Sequence, residues 1–508
     1  MNNIFRYGED HLTVEKVLKI SRGDMRGILT DNVKERIYKN YEIVQSIAKG
    51  EKLVYSINTG FASLCTTRIS KEETGKLQEN LLKSHSVGVG LPIDHEISKL
   101  MLILKVQALS MGYSGISLDL LKRICWHIDN NFIPVVPEQG SVGASGDLAP
   151  LAHLFLPLIG LGYLYKNGNN YIPAKRILEE HNLEPLKLQA KEGVALINGT
   201  QFIAACAIKI TEKLSNCLEH ADLISALTLE SYLGSPQPFA KKLIDLRPHE
   251  GAVIVSKRMR KFLEDSQLVE SHKDCGRVQD PYSLRCIPQV HGASRDALSH
   301  LKEKLECEIN SVTDNPIVFG ENETYSGGNF HGQPLALPID YVSLAASELG
   351  NISDRRIYLL LEGKWDLPLY LIENAGLNSG FMMVQYTSAA LVSENKSLCF
   401  PASADSIPTG GGQEDHVSMG SISARKALKI VSNLEKVLGI ELLCAIQAFD
   451  FRRPLKSSKT LEACYKYIRE KIPHITEDTI LSDYIDLATE IIRSKKLINI
   501  IQKFLEAD

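Results

Sequence analysis

The chain has 508 residues, of which 44% are hydrophobic and 23% charged, a composition typical of soluble globular proteins that excludes disordered and fibrous classes. Its formal net charge is −4 and its pI is about 6.4, and no run of Lys and Arg is long enough to indicate nucleic-acid binding. Because the N-terminus lacks the pattern of a signal peptide and no stretch has the roughly 18 uninterrupted apolar residues of a membrane span, we expect a cytoplasmic protein.

The predicted elements are mainly helical. An early exception is LVYSI at 53–57, whose apolar and β-branched residues are typical of a short strand. After Asp94, a plausible N-cap, apolar residues recur at intervals of four, three and four and predict a helix with one buried face. That stripe consists of Ile97, Met101, Leu104 and Ala108.

A second short strand is predicted at GVALI, residues 193–197, and a long helix follows near the end of the chain. Glycine and proline cluster at 86–92, 134–150, 232–238, 326–334 and 408–412, which we interpret as functional loops. We therefore predict a loop-rich N-terminal domain over 1–205 and a long-helix bundle over 206–508. The long helix near the end of the chain is predicted from an apolar stripe that recurs with helical spacing. This stripe consists of Val431, Leu434, Leu438, Leu442, Ile446 and Phe449.

The stretch GSVGASGDLAP places Ser145 among small residues. A G-x-S-x-G nucleophile elbow is excluded because Asp147 stands where that pattern needs glycine. Ser145 or Asp147 could instead cap a helix that begins near Leu148, with Pro150 in its first turn. In a tight bend, the amide nitrogen of Gly146 could also reach the carbonyl of Ala144, and loss of water would turn Ser145 into an exocyclic methylene.

Nine stretches together resemble the histidine ammonia-lyase family, in which Ala-Ser-Gly forms the prosthetic group 4-methylidene-imidazol-5-one (MIO). The resemblance covers almost the whole chain and rests on the order and spacing of the stretches. They are YSINTGF (55–61), LLKSHSVGVG (81–90), GSVGASGDLAPLAH (140–153), ALINGTQ (195–201), SHKDC with VQDPYSLRC (to 286), TDNPIVF (313–319), SGGNFHG (326–332), LNSGFM (377–382) and QEDHVSM (413–419).

The resemblance implies an MIO formed from Ala144, Ser145 and Gly146 and no external cofactor. Elimination of ammonia needs an electrophile for the amine and a base for a weakly acidic proton. By resemblance, Tyr55 is the base, which a phenol can be only where nearby charge or donors lower its pKa from about 10. Tyr282 matches a second tyrosine near the MIO.

Other positions match residues that hold the MIO and the substrate. Asn198 and Gln279 resemble amide partners of the MIO carbonyl and the substrate, and Phe330 resembles the residue packed beside the MIO ring. Arg285 offers a planar fork suited to the substrate carboxylate. His85, preceded by Ser84, and Glu414 resemble the pair that faces the substrate side chain, and their polarity favours an imidazole over a phenyl ring.

These matches imply a mainly helical, homotetrameric lyase that converts L-histidine to trans-urocanate at sites shared between subunits. A tyrosine or phenylalanine ammonia-lyase, or an aminomutase with the same MIO, is the alternative enzyme, and a catalytically silent helical assembly protein is the alternative outside enzymes. We expect no catalytic metal, because His153, His291, His331 and His416 lack metal-site spacing.

The ten cysteines form no CxxC pair, so we predict reduced and mostly buried thiols.

Ser56 and Ala62 replace glycines usual in the family loop, and Gly410-Gly411-Gly412 replaces a less flexible segment before Glu414. Both loops border the expected pocket, so these departures bear on the choice of substrate.

Overall fold

Helices dominate the structure, a computed structural model that describes residues 3–60, 68–70, 73–167 and 170–505. The mainly α fold predicted from the sequence is confirmed. Ala62 lies outside the described residues. The α-helices are α1 (Val14–Arg22), α2 (Asp31–Lys49), α3 (Thr74–His85), α4 (His95–Ser110), α5 (Leu118–Asp129), α6 (Leu148–Phe155), α7 (Ala174–Glu180), α8 (Glu192–Ile197), α9 (Gln201–Ser231), α10 (Lys241–Ile244), α11 (Glu250–Phe262), α12 (Gln267–Ser271), α13 (Tyr282–Arg285), α14 (Ile287–Glu308), α15 (Gln333–Leu361), α16 (Met382–Leu398), α17 (Gly420–Asp450), α18 (Lys459–Arg469), α19 (Leu481–Arg493) and α20 (Lys496–Leu505).

The strands form small two-stranded sheets. β1 pairs with β2 in parallel, and the pairs β3 with β4, β5 with β6 and β7 with β8 are antiparallel. Their bounds are β1 (Ile4–Arg6), β2 (Arg26–Ile28), β3 (Val89–Pro92), β4 (Pro137–Gln139), β5 (Tyr163–Asn167), β6 (Asn170–Pro173), β7 (Ile317–Gly320) and β8 (Glu323–Tyr325).

Both strands predicted from short apolar runs are wrong. GVALI forms most of α8, and LVYSI leads into a turn in which Ile57 and Asn58 donate backbone hydrogen bonds to the carbonyl of Val54. A run of five apolar residues has no periodicity that separates a buried strand from a buried helix. Residue composition alone therefore could not distinguish strand from helix or turn in these two segments.

Two compact units divide the chain. The first comprises Met1–Lys209, Leu301–Asp340 and Pro401–Arg425, and the second comprises Ile210–His300, Tyr341–Phe400 and Lys426–Asp508. The first segment ends close to the boundary predicted near residue 205, but later segments return to the first unit. The division into domains over 1–205 and 206–508 stays a prediction.

Helix α4 forms the centre of the first unit. It begins after Asp94, whose side chain accepts a hydrogen bond from the amide of Glu96 at 2.7 Å, as expected of an N-cap. The predicted helix is confirmed, but it is buried around its whole circumference from Leu100 to Ser110, not on one face. This burial includes Lys105, whose polar end must therefore find partners inside the protein.

In the second unit, the predicted long helix is confirmed as part of α17, and every residue of its predicted apolar stripe is buried. Polar groups are buried in the same unit. The guanidinium of Arg356 donates to both carboxylate oxygens of Glu441, at 2.6 and 2.8 Å, and its Nη1 lies 3.3 Å from Nε2 of His291. Nδ1 of His291 lies 2.8 Å from the carboxylate of Asp222. A continuous chain of fully buried polar side chains therefore links α9, α14, α15 and α17.

The remaining global expectations have mixed outcomes. Among the described helices, none is both long and apolar enough to cross a bilayer. The nine cysteines within the described residues are free thiols, as predicted, but only Cys206, Cys217, Cys444 and Cys464 are buried, so the expectation of mostly buried thiols is wrong. Cys65 lies outside the described residues.

We expect Arg356→Met to lower the free energy of unfolding by about 3–5 kcal/mol, because it leaves the buried charge of Glu441 with the hydroxyls of Thr228 and Ser353 but without its charged partner. Denaturant unfolding at neutral pH measures the change. The matched control is Lys241→Met, which breaks a pair with Asp245 whose two side chains are both more than half exposed and should cost less than about 1 kcal/mol. Equal losses for both variants would contradict a special role for the buried pair.

Candidate active site

The Ala-Ser-Gly stretch forms a tight bend against a second loop of the first unit. Ser145 and Gly146 both take left-handed backbone angles, with φ of 51° and 81°. A Cβ added to Gly146 would lie 2.2 Å from the carbonyl oxygen of Gly199, so only glycine fits there. The amide of Gly199 donates to the carbonyl of Ser145 at 3.3 Å, and the amide of Asp147 donates to the carbonyl of Gly199 at 2.8 Å. The bend is thereby held beside Asn198.

Asp147 stabilises a helix other than the one predicted. Helix α6 begins at Leu148 as expected, but no side-chain bond of Asp147 caps it. Instead, Oδ2 of Asp147 accepts from the amides of Phe202 and Ile203, both at 3.0 Å, in the first turn of α9. Burial raises the pKa of Asp147 to about 7, against the two amide bonds and the charge of Lys105, which lower it. Its Oδ1 is buried with no hydrogen-bond partner among the described residues.

Lys105 lies beneath the same bend. Its ammonium donates to the carbonyl oxygens of Asn198 at 2.5 Å and of Ala195 at 3.3 Å, where α8 ends. Burial lowers the pKa of Lys105 to about 7, while the charges of Asp314 and Asp147 act to raise it. The loop that follows α8 is therefore held by an ammonium that the sequence analysis did not identify.

Ser418 brings three of the sequence motifs together. A Cβ on Gly143 would lie 2.3 Å from the Ser418 hydroxyl, and one on Gly332 would lie 2.9 Å from it. The amide of Met419 donates to the carbonyl of Val142 at 3.0 Å. The segments that carry Ser145, Phe330 and Glu414 thus meet at one hydroxyl. Sequence reasoning quoted the motif QEDHVSM but did not single out its serine.

His85 and Glu414 lie within electrostatic range of each other, as the predicted pairing requires. His85 is the last residue of α3, and its Nδ1 lies 3.0 Å from the hydroxyl of Ser84. Burial lowers the pKa of His85, whereas a hydrogen bond with the backbone of Leu81 and the charge of Glu414 raise it. Glu414 closes a turn with Thr409, whose amide donates to the Glu414 carbonyl at 2.9 Å.

The triglycine departure has a structural cause. Gly410, Gly411 and Gly412 all take left-handed angles, with φ of 56°, 67° and 90°. A Cβ on Gly410 would lie 1.4 Å from Oε2 of Glu414. The carboxylate of Glu414 therefore occupies space that any other residue at position 410 would fill.

Tyr55 is half-buried in the turn that replaces the predicted strand. The next residues anchor this turn: Ile57 packs with Val44, Ile47, Ala190 and Val318 in an apolar cluster. The pairing of Tyr55 with the Ala-Ser-Gly bend stays a prediction. Ser56 takes a φ of 58° and is fully buried, at a position where the family usually has glycine.

Gln279, Tyr282 and Arg285 belong to the second unit, where they line one cavity. The guanidinium of Arg285 lies 4.4 Å from the centre of the Tyr282 ring, which is 71% exposed. Nε of Arg285 is buried without a hydrogen-bond partner among the described residues. These three residues thus form a local cluster in which Nε of Arg285 can still donate a hydrogen bond.

Across residues 3–60, 68–70, 73–167 and 170–505, no three His, Cys, Asp or Glu side chains lie in an arrangement that could hold a metal ion. His331 and His416 instead stack, with their ring centres 5.6 Å apart.

Known proteins resemble this chain over almost its full length. The family model for aromatic amino acid lyases matches residues 12–470. The histidine ammonia-lyase of Natranaerobius thermophilus is 44% identical over 497 residues, which are 97% of this chain and 98% of that protein.

Solved structures give the same fold. The histidine ammonia-lyase of Trypanosoma cruzi superposes with a TM-score of 0.90 and 38% identity, covering 99% of this chain and 95% of that one. A tyrosine aminomutase from Streptomyces globisporus superposes with a TM-score of 0.92 and 33% identity, covering 98% of each chain.

We expect Ser56→Gly to raise the free energy of unfolding by about 1 kcal/mol, because glycine relieves the left-handed strain and removes a buried hydroxyl that has no partner among the described residues. Denaturant unfolding measures the change. Ser56→Ala removes the hydroxyl but keeps the Cβ and is the control that separates the two contributions. A lower stability for the glycine variant would show that Ser56 makes a favourable contact.

Proposed function

The chain belongs to the aromatic amino acid lyase family, and we propose that it eliminates ammonia from L-histidine to give trans-urocanate. The observation that carries this proposal is the bend at Ser145 and Gly146, where the absence of a Cβ at Gly146 lets its backbone lie against Gly199. Such a bend fits the formation of an MIO from Ala144, Ser145 and Gly146, a ring that needs the Gly146 nitrogen close to the Ala144 carbonyl. The histidine ammonia-lyases that resemble the chain over almost its full length support the choice of substrate.

Elimination breaks the bond between Cα and the amino nitrogen and removes a proton from Cβ, which leaves a double bond between the two carbons. The amino group is a poor leaving group and the proton is weakly acidic, so both positions need assistance. The MIO supplies the electrophile for the amine. In this proposal, the phenolate of Tyr55 accepts the Cβ proton.

Residues of the first unit would shape the reacting region. Asn198 is 7% exposed and directly precedes Gly199, so its amide group can serve the carbonyl of the MIO. Phe330 would pack beside the ring. Lys105, bonded to the Asn198 carbonyl, holds the backbone on which that amide depends.

Arg285 and its neighbours would bind the amino-acid end of the substrate. Arg285 has an unpaired buried Nε and can form a bidentate pair with the carboxylate. We propose that Gln279 and Tyr282 complete this group.

We also propose that the chains assemble as a homotetramer whose sites contain loops of several subunits. Exposed apolar side chains on α15 and α16 support an assembly surface, since large exposed apolar areas mark interfaces. They are Tyr341, Leu344, Tyr358, Met383 and Tyr386.

Histidine is favoured over tyrosine or phenylalanine by the polar pair of His85 and Glu414. An imidazole ring can bond to both, whereas an apolar ring would leave them unpaired. A tyrosine or phenylalanine ammonia-lyase, or an aminomutase, remains the alternative, and the fold shared with a tyrosine aminomutase supports it. The cytoplasmic location stays a prediction.

We expect ultraviolet absorbance of a conjugated acid to rise when the purified protein is mixed with L-histidine, and not with Ser145→Ala. The variant lacks the hydroxyl whose loss makes the methylidene group, so turnover should fall by at least about 10³-fold. Tyrosine and phenylalanine are assayed in parallel. Turnover of tyrosine or phenylalanine without histidine would keep the electrophile and contradict our assignment of His85 and Glu414.

We expect Glu414→Gln to lower kcat/KM for histidine by about 30-fold, because it replaces a charged hydrogen-bond acceptor worth about 2 kcal/mol with a neutral amide. The matched control is Asp415→Asn, which neutralises the adjacent, exposed carboxylate and should leave kcat/KM within about twofold. Steady-state kinetics on both proteins measures the difference. Equal effects would indicate a general electrostatic influence of this loop.

A further inference from the structure

A single side chain connects the Ala-Ser-Gly region to the segment that follows His85. His153 lies in α6, which begins three residues after Ser145. Its Nε2 accepts a hydrogen bond from the amide of Gly88 at 3.0 Å. Gly88 is three residues beyond His85, so this bond joins the helix after the bend to the chain after the substrate-side histidine.

The same segment is held from the other side of the bend. Strand β3 pairs with β4, with Val89 opposite Gln139, and β4 leads directly into the glycine-rich loop before Ser145. A Cβ on Gly140 would lie 3.1 Å from Cα of Gly88, so the two backbones are in close contact. Two contacts therefore hold this segment, and we call them together the clamp. One is the bond from the amide of Gly88 to the side chain of His153, and the other is the backbone pairing of β3 with β4.

The bond has a defined direction. A backbone amide can only donate, so Nε2 of His153 must be unprotonated and the ring neutral. A Cβ on Gly88 would lie 3.2 Å from Nε2 and Cδ2 of His153, so the absence of a side chain lets the ring approach this closely. The chain between α3 and Gly88 has one further side-chain bond, from the hydroxyl of Ser86 to the carbonyl of Leu82 at 2.7 Å.

We propose that His153 is a positioning residue for substrate binding, which acts through the amide of Gly88 to hold His85 at the distance from the Ala-Ser-Gly bend that histidine requires. This inference rests on the proposed function, because it assigns His85 to the substrate. His153 itself touches no reacting atom. Its neutral ring keeps the segment after α3 in place, and its protonation removes the acceptor and releases that segment.

The burial of His153 gives the sign of the pH dependence. Half-burial lowers the pKa of His153 from its usual value near 6.5, because the charged ring loses hydration. The bond to Gly88 is therefore complete at neutral pH and is lost as the pH falls through that lowered pKa. The elements packed against α6 include α3, α8, β4 and the short 3-10 helix Leu156–Ile159, which has no titratable residue. The titratable residues of α3, α8 and β4 are Lys76, Glu79, Lys83, His85, Glu192 and Glu138.

Two variants of His153 separate the hydrogen bond from the volume of the ring. His153→Phe keeps a ring but has no acceptor, and His153→Gln places a carbonyl oxygen near the position of Nε2. At neutral pH we expect the phenylalanine variant to raise KM for histidine about tenfold with little change in kcat, and the glutamine variant to restore most of the affinity. A fall in kcat with unchanged KM would overturn the positioning role.

Hydrogen exchange of residues 86–92 tests the clamp without any substrate. At one pH we expect exchange about tenfold faster in the phenylalanine variant than in the wild type. After correction for the intrinsic slowing of amide exchange in acid, we expect wild-type protection to fall as the pH drops below the usual histidine pKa, while protection in the glutamine variant does not. The ratio of wild-type KM to glutamine-variant KM should rise over the same range, a comparison in which the titration of the substrate cancels. Unchanged exchange in the phenylalanine variant would overturn the inference, whereas lack of histidine turnover by the wild type would count against the proposed function.

Discussion

The close approach of Gly146 to Gly199 is the constraint on which the rest of the site depends. Two backbones can lie this near each other only where one residue lacks a Cβ, and the left-handed angle of Ser145 directs the chain into that contact. Each neighbouring interaction supports it: Asp147 joins the end of the bend to the start of α9, and Lys105 holds the carbonyl of Asn198. The bend is thus supported at two helix ends, one bonded to Asp147 and the other to Lys105.

Buried charges stabilise this arrangement because each is matched to a helix end. The ammonium of Lys105 lies where α8 presents free carbonyls, and the carboxylate of Asp147 lies where α9 presents free amides. Burial displaces the pKa of both groups towards 7 from opposite directions, which shows that the loss of hydration is the larger influence on each. Replacing Lys105 and Asp147 with apolar residues would remove the cost of burying their charges, but it would leave backbone groups of the two helix ends unpaired.

Periodicity in the sequence was sufficient for the long helices and insufficient for the polar groups that join them. The stripe ending at Phe449 predicted α17 because a 3.6-residue period persists over many turns. Ser145 and Asp147 were both candidate caps of the helix next to them, but the side-chain partners of Asp147 are the amides of Phe202 and Ile203, more than 50 residues away. Local pattern cannot reveal such a partner, nor the meeting of three motifs at Ser418, because both depend on packing. The order and spacing of the motifs nevertheless indicated the reaction class, because together they resemble one enzyme family.

The two departures from the family pattern follow one rule of backbone geometry. Ser56 occupies a left-handed position without the glycine that usually relieves it, whereas Gly410 provides glycine where the carboxylate of Glu414 needs the space. A side chain at position 410 and the observed position of this carboxylate exclude each other. Burial lowers the pKa of His85 and the charge of Glu414 opposes that shift, so a side chain at 410 that displaced the Glu414 carboxylate would change the electrostatic environment of His85. In the proposed site, specificity would therefore depend on the turn that carries Glu414 as well as on Glu414 itself.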